Sequence, residues 1–318
     1  MTRLRALPLF LATAILSAAA QGPHDTSADW AKAALAKSPR HGEYVTIKEP
    51  GGRALQAWVV YPEIKEKGPV VVMIHEIFGL SDWAREMADE VAGAGYIVVE
   101  PDLLSGFGPP ASDRASGAMA APNPHDHMTM SSPDPHDPMN RGPQSHGAAM
   151  IPMNPGGTAA FPDQSAVVRA VSALDPAQVN LDLDAAADYG KHLPSASGKL
   201  FVAGFCWGGG KSFAFATHRK DLSAAMVFYG PPPPADAMAN ITAPVYGFYA
   251  GNDARISATV PQTILDMKAA GKKYDPVIYD GAGHGFMRAG EAPDASAENA
   301  AARASAFRRF IDLLGGMH

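Results

Sequence analysis

Gly204-Phe205-Cys206-Trp207-Gly208 closes the apolar run Leu200 to Ala203 and opens a stretch of helical character. A cysteine on a sharp strand-to-helix turn is lifted above the sheet edge, and glycine on either side lets the backbone pass close behind it. A helix starting near Trp207 would aim unpaired amide donors at the same point, favouring a thiolate and a developing oxyanion. Read alone, the single cysteine of this chain is equally a small buried apolar filler. Two further positions bear on that choice. Asp253 follows the apolar run Val245 to Tyr249, and His284 sits in Gly281-Ala282-Gly283-His284-Gly285-Phe286 after a run ending at Tyr279. Taken separately they are a turn former and a loop histidine. Together the chain order is nucleophile, acid, histidine, each just past an expected strand, where parallel sheets gather their loops at one edge. In that arrangement Cys206 attacks a carbonyl carbon, His284 takes and returns protons, and Asp253 fixes the imidazole tautomer.

The elements that must hold these residues follow from hydrophobic periodicity. Tyr44 to Tyr61 alternates and is broken by Gly51-Gly52, which predicts a β-hairpin. Val70-Val71-Val72-Met73-Ile74 is a continuous apolar run, as for a strand buried on both faces. Further strands are expected at Tyr96 to Val99, Lys199 to Phe205, Ala224 to Tyr229, Val245 to Tyr249 and Tyr274 to Tyr279. Helices are expected at Trp83 to Ala92, with Ser81 or Asp82 as cap, near Ala177 to His192, from Trp207, around Gln262 to Ala270 and from Ala295 to Leu314. Strands alternating with helices imply an α/β fold with a mostly parallel central sheet covered by helices on both faces.

With 318 residues, 47% hydrophobic and 18% charged, the chain can bury a large core as one domain. Its 26 basic and 32 acidic residues give a net charge of −6, so no broad basic surface is available to nucleic acid. One cysteine excludes an intrachain disulfide framework and a multi-thiolate zinc site. Arg3 and Arg5, the apolar run Leu7 to Leu16 and Ala18-Ala19-Ala20 read as a secretory signal over residues 1–20, which predicts an exported, periplasmic or secreted protein. That run is too short to span a bilayer, and no membrane span is expected elsewhere. Residues 21–42 read as an N-terminal extension and 43–318 as the folded domain.

The stretch 107–162 breaks the rhythm. It holds 11 of the 28 prolines, and no leucine or valine occurs between Leu104 and Val167, so it reads as a long irregular inserted loop. Its His125, His127, His136 and His146, among several methionines, would suit a soft metal such as copper, which makes an exported copper-binding protein on an enzyme scaffold the second functional reading. No fixed ligand spacing is visible, and a solvated insertion without a ligand accounts for the same composition.

The sequence resembles the dienelactone hydrolase family. The resemblance rests on His75-Glu76-Ile77-Phe78-Gly79, Tyr96 through Pro101-Asp102-Leu103, the cysteine turn, Phe228-Tyr229-Gly230 and His284-Gly285-Phe286-Met287-Arg288, over roughly residues 43–105 and 163–315. It implies an α/β-hydrolase fold and a cysteine-dependent hydrolase that opens lactones or cleaves activated carboxylic esters through an acyl-cysteine intermediate, with a small-molecule substrate and no cofactor. It also implies that Glu76 contacts the thiol and helps ionise it when substrate arrives, and that Arg288 and Tyr229 line the substrate site. On the residues alone, Glu76 either pairs structurally or is kept for chemistry, and Arg288 either forks onto a substrate carboxylate or forms an ordinary ion pair. The backbone amides of Ile77 and Trp207 are the expected oxyanion donors, one from each strand-to-helix loop. One departure is evident: family members specific for dienelactones carry a second arginine after the Pro-Asp-Leu stretch, where this chain has Gly106. Losing a charge-assisted contact of about 1.5–3 kcal/mol points toward another lactone or ester. Arg114, within the insertion, is a candidate substitute.

Overall fold

The computed structural model describes residues 29–108 and 156–317. The predicted hairpin is present as β1 (Gly42–Lys48) and β2 (Ala54–Val60), paired antiparallel from Gly42 opposite Val60 to Lys48 opposite Ala54. The all-apolar run becomes β3 (Gly68–Ile74), buried at every position. β4 (Ile97–Pro101), β5 (Ala196–Phe205), β6 (Ala224–Phe228), β7 (Val245–Ala250) and β8 (Tyr274–Tyr279) complete one eight-stranded sheet in the order β1-β2-β4-β3-β5-β6-β7-β8. Pairing is antiparallel in the first two steps and parallel from β4 onward, so the carboxyl ends of β3, β5, β6, β7 and β8 converge on one edge.

Helices cover both faces, as the alternation of patterns requires. One core holds Val70, Val72, Ile74, Val202 and Val227; the other holds Val71, Met73, Phe201, Ala203, Phe228 and Phe248. Successive residues of a strand thus feed opposite cores, which is why these strands carry few polar positions. α1 (Asp29–Leu35) precedes the hairpin, and α2 (Asp82–Gly93) starts at Ser81, whose hydroxyl accepts from the Ala84 amide. α3 (Gln164–Ser172) and α4 (Pro176–His192) are capped by Asp163 and Asp175 in the same way. α5 (Trp207–His218), α6 (Ala254–Ser257), α7 (Val260–Ala269), α8 (Phe286–Ala289) and α9 (Ala297–Gly315) follow in turn.

Two boundaries differ from the sequence reading. α1 lies inside the expected extension, yet its Ala31 is fully buried in the core shared with α2, so the packed unit begins before residue 43. The expected insertion also ends earlier than 162. Asp102 accepts from the Thr158 amide at 2.7 Å and from its hydroxyl at 2.9 Å, and Thr158 Oγ1 accepts from the Leu80 amide, which ties this segment to the sheet edge. The signal segment, Arg114 and all four insertion histidines lie outside the described residues.

Candidate active site

Three strand ends and one tight turn build the site. Cys206 follows β5 with φ 55° and ψ −115°, a conformation costly for a side chain with a Cβ, and is held there by its amide donating to Phe228 O at 3.0 Å. The turn closes only because its neighbours are glycines: a Cβ on Gly204 would lie 2.1 Å from Gly208 O, and one on Gly208 would lie 2.4 Å from His75 O. Asp253 ends the loop after β7, where its Oδ1 accepts from the Ile256 amide at 3.3 Å and caps α6. Its Oδ2 faces His284 Nδ1 at 2.5 Å, and His284 Nε2 lies 3.1 Å from Cys206 Sγ. The three side chains therefore form one continuous line, with Asp253 buried and the sulfur and imidazole partly open to solvent.

Around the sulfur the field is mixed. Burial pushes the Cys206 thiol up to about 11; the Glu76 carboxylate adds to the rise, while the Trp207 and Ile77 amides and the Arg255 guanidinium oppose it. At neutral pH the free site thus holds a protonated thiol already touched by two backbone N–H groups. Glu76, at the end of β3, is buried; its Oε2 accepts from Arg288 Nε at 2.9 Å and its Oε1 from the Tyr229 hydroxyl at 3.4 Å. The pairing reading of each residue is seen here, since Glu76 and Arg288 pair with each other beside the sulfur. No Glu76 to Sγ hydrogen bond is present among the described residues; the carboxylate acts on the thiol through its charge. Tyr229 (φ 39°) packs edge-on against His284 with centroids 5.1 Å apart, and Arg288 lies over the Phe78 ring at 5.0 Å.

All eight positions expected at the site, Cys206, Asp253, His284, Glu76, Ile77, Trp207, Arg288 and Tyr229, are brought together at this sheet edge. Sequence reasoning gave no role to Arg255, an exposed cation two residues past Asp253, or to His75, fully buried beneath Glu76.

The family model for the dienelactone hydrolase family matches residues 55–317, which include every residue of this site. The chain belongs to the dienelactone hydrolase family. A Salmonella typhi protein named as a carboxymethylenebutenolidase is 27% identical over 248 residues, covering 74% of this chain and 74% of that protein. One of the same name from Saccharolobus solfataricus is 28% identical over 265 residues, or 82% of this chain and 95% of that protein. A crystal structure named as a dienelactone hydrolase, from Klebsiella pneumoniae, superposes with a TM-score of 0.63 at 22% identity, covering 86% of this chain and 97% of that one, and shares the α/β-hydrolase fold. As a member of this family the chain is a hydrolase. Among the described residues no helix is long and apolar enough to cross a membrane.

Behind Arg288 a second charged group anchors α8. Glu291 accepts from Trp83 Nε1 at 2.9 Å and pairs with Arg303, which also pairs with Glu90; Glu86 lies against Glu291, with Asp89 and Arg40 paired nearby. Glu86, Glu90 and Glu291 bring carboxylate oxygens within 4.8 Å of one another, but Arg303 already supplies the cation between two of them. Burial, then crowding by like charge, raises the Glu86 carboxyl well above the usual carboxylate range, and burial raises that of Glu291 in the same direction. The folded chain therefore holds protons here that the unfolded chain has released, so stability falls as pH climbs from the ordinary glutamate range toward these raised values. Thermal melts are expected to show that decline between about pH 5 and 8. Glu86→Gln, which cannot ionise, should flatten it and raise Tm at pH 8 by about 2–4 °C.

Proposed function

We propose that this member of the dienelactone hydrolase family opens lactones or cleaves activated carboxylic esters through an acyl-cysteine intermediate. The observation that carries this reading is the line from Cys206 Sγ through His284 to Asp253, at 3.1 and 2.5 Å, with two amides facing the same sulfur. As Sγ bonds to the substrate carbonyl carbon, its proton passes to His284 Nε2, and Asp253 steadies the imidazolium. The carbonyl oxygen takes up the negative charge between the Ile77 and Trp207 N–H groups. Collapse breaks the C–O bond and His284 returns the proton to the departing oxygen, which in a lactone stays tethered to the acyl group. Water then loses a proton to His284, adds to the thioester and leaves the carboxylic acid and the free thiol.

An anionic substrate group that engaged Arg288 would compete with Glu76 for it. The relatives named as carboxymethylenebutenolidases favour a lactone with a carboxylate. Gly106 in the place of a second arginine favours an ester or lactone that needs only one such contact. The test is to quench the enzyme during turnover of p-nitrophenyl acetate and digest it. An acetyl group is expected on the peptide carrying Cys206; acetylation elsewhere, with that thiol unmodified, refutes the intermediate.

A further inference from the structure

The two N–H groups facing Cys206 come from separate loops, and one buried side chain contacts the Glu76 carbonyl on one loop and the Trp207 indole on the other. His75 is fully buried, its Nδ1 lies 2.7 Å from Glu76 O, and its ring stacks on Trp207 with centroids 5.8 Å apart and planes within 11°. Glu76 O and the Ile77 N–H are the two ends of a single peptide plane. Holding the oxygen fixes the direction in which the N–H points, and a donor on the carbonyl polarises the amide so that its N–H donates more strongly. The Gly79 amide also reaches this oxygen, at 3.1 Å, but its bond closes the turn and makes no contact with Trp207. Trp207 carries the other N–H, so its stacked ring links the second donor to the same imidazole.

The tautomer follows from the partners. A carbonyl only accepts, so Nδ1 bears the hydrogen, and Nε2, buried and without a hydrogen-bond partner among the described residues, keeps its lone pair. Desolvation lowers the His75 pKa and holds the ring neutral, although the Asp102 charge acts the other way. The imidazole is therefore a fixed neutral donor and takes no part in proton transfer.

We infer that His75 is a positioning residue for the oxyanion hole, aligning the Ile77 and Trp207 amides on the substrate oxygen. The inference rests on the proposed acyl-cysteine reading and adds to it a residue that touches neither substrate nor sulfur. His75→Asn keeps an N–H at the place of Nδ1, whereas His75→Gln, equally polar, carries its amide one bond farther out. His75→Gln is expected to lose about 10²-fold in kcat on an activated ester with little change in KM, and His75→Asn to recover most of it. Two further readouts separate positioning from loss of structure. Affinity for an aldehyde, which adds to Cys206 and generates the same oxyanion, should fall in step with kcat. The Tm values of the two variants, which report the fold and not the hole, should stay within about 3 °C of each other. Equal kcat in the Asn and Gln variants, or a Tm of the Gln variant that falls together with its turnover, overturns the assignment. Aldehyde affinity reads the hole without deacylation, so a hydrolase that forms no acyl-cysteine would be recognised separately, by the absence of acetyl on the Cys206 peptide.

Discussion

Cys206→Ala is expected to lower kcat/KM on an activated ester by about 10⁴-fold or more, because no other nucleophile among the described residues lies on the His284 line. The rate that remains would be the part the amides supply by binding the oxyanion alone. The fold should survive, since the sulfur is partly exposed and the turn is held by backbone bonds and by glycines that the substitution leaves in place. Cys206→Gly goes further. At φ 55° and ψ −115° only glycine is unstrained, so this variant should unfold at a higher temperature than Cys206→Ala, by an amount corresponding to about 1–2 kcal/mol. A rise in Tm coupled to complete loss of turnover would mark the strain as the cost of holding a nucleophile above the sheet. Steady-state kinetics and thermal melts on the two variants check both halves. Turnover by Cys206→Ala at more than a hundredth of the original rate would remove the thiol from the mechanism.

The residues of the candidate site were legible in the sequence because their local requirements are severe. A cysteine between glycines after a buried apolar strand has few other uses, and Asp253 and His284 each follow a run of β character. The parallel sheet was equally legible, since strands buried on both faces must be apolar throughout, as β3 is. The edges of the domain were not. α1 is only 7 residues long, and α3 has just Val167 and Val171 buried, so neither carries enough of a helical stripe to stand out. Contacts between distant residues were also invisible. Glu76 and Arg288 are 212 positions apart, and Trp83 and Glu291 are 208 apart. His75 stands in a recognisable motif, but its work lies in a peptide plane and a ring stack that no spacing reports. Arg255 reads as an ordinary exposed helix cation until the fold sets its charge near the sulfur.

The Glu76 and Arg288 pair leads to an expected result in which two rates move in opposite directions. In the free enzyme burial is the main cause of the high thiol pKa of about 11, and the Glu76 charge is the next. Glu76→Gln removes the second cause and leaves the first, so the thiol should titrate lower while staying above its ordinary range. Iodoacetamide reacts with the thiolate, so at pH 8 the variant should be alkylated about three- to tenfold faster than the unsubstituted enzyme. In both proteins the rate should climb roughly tenfold per pH unit until the thiol titrates. Turnover should move the other way. If a substrate group that engages Arg288 frees the Glu76 carboxylate to assist removal of the thiol proton, glutamine cannot take that part, and kcat on an anionic ester should fall by about 10²-fold. The carboxamide oxygen of the variant would still accept a hydrogen bond from Arg288 or Tyr229, so a comparable Tm is the control that the pocket is intact. Faster alkylation with unchanged turnover would leave Glu76 as the structural partner of Arg288. Slower alkylation would contradict the sign of its charge at the sulfur.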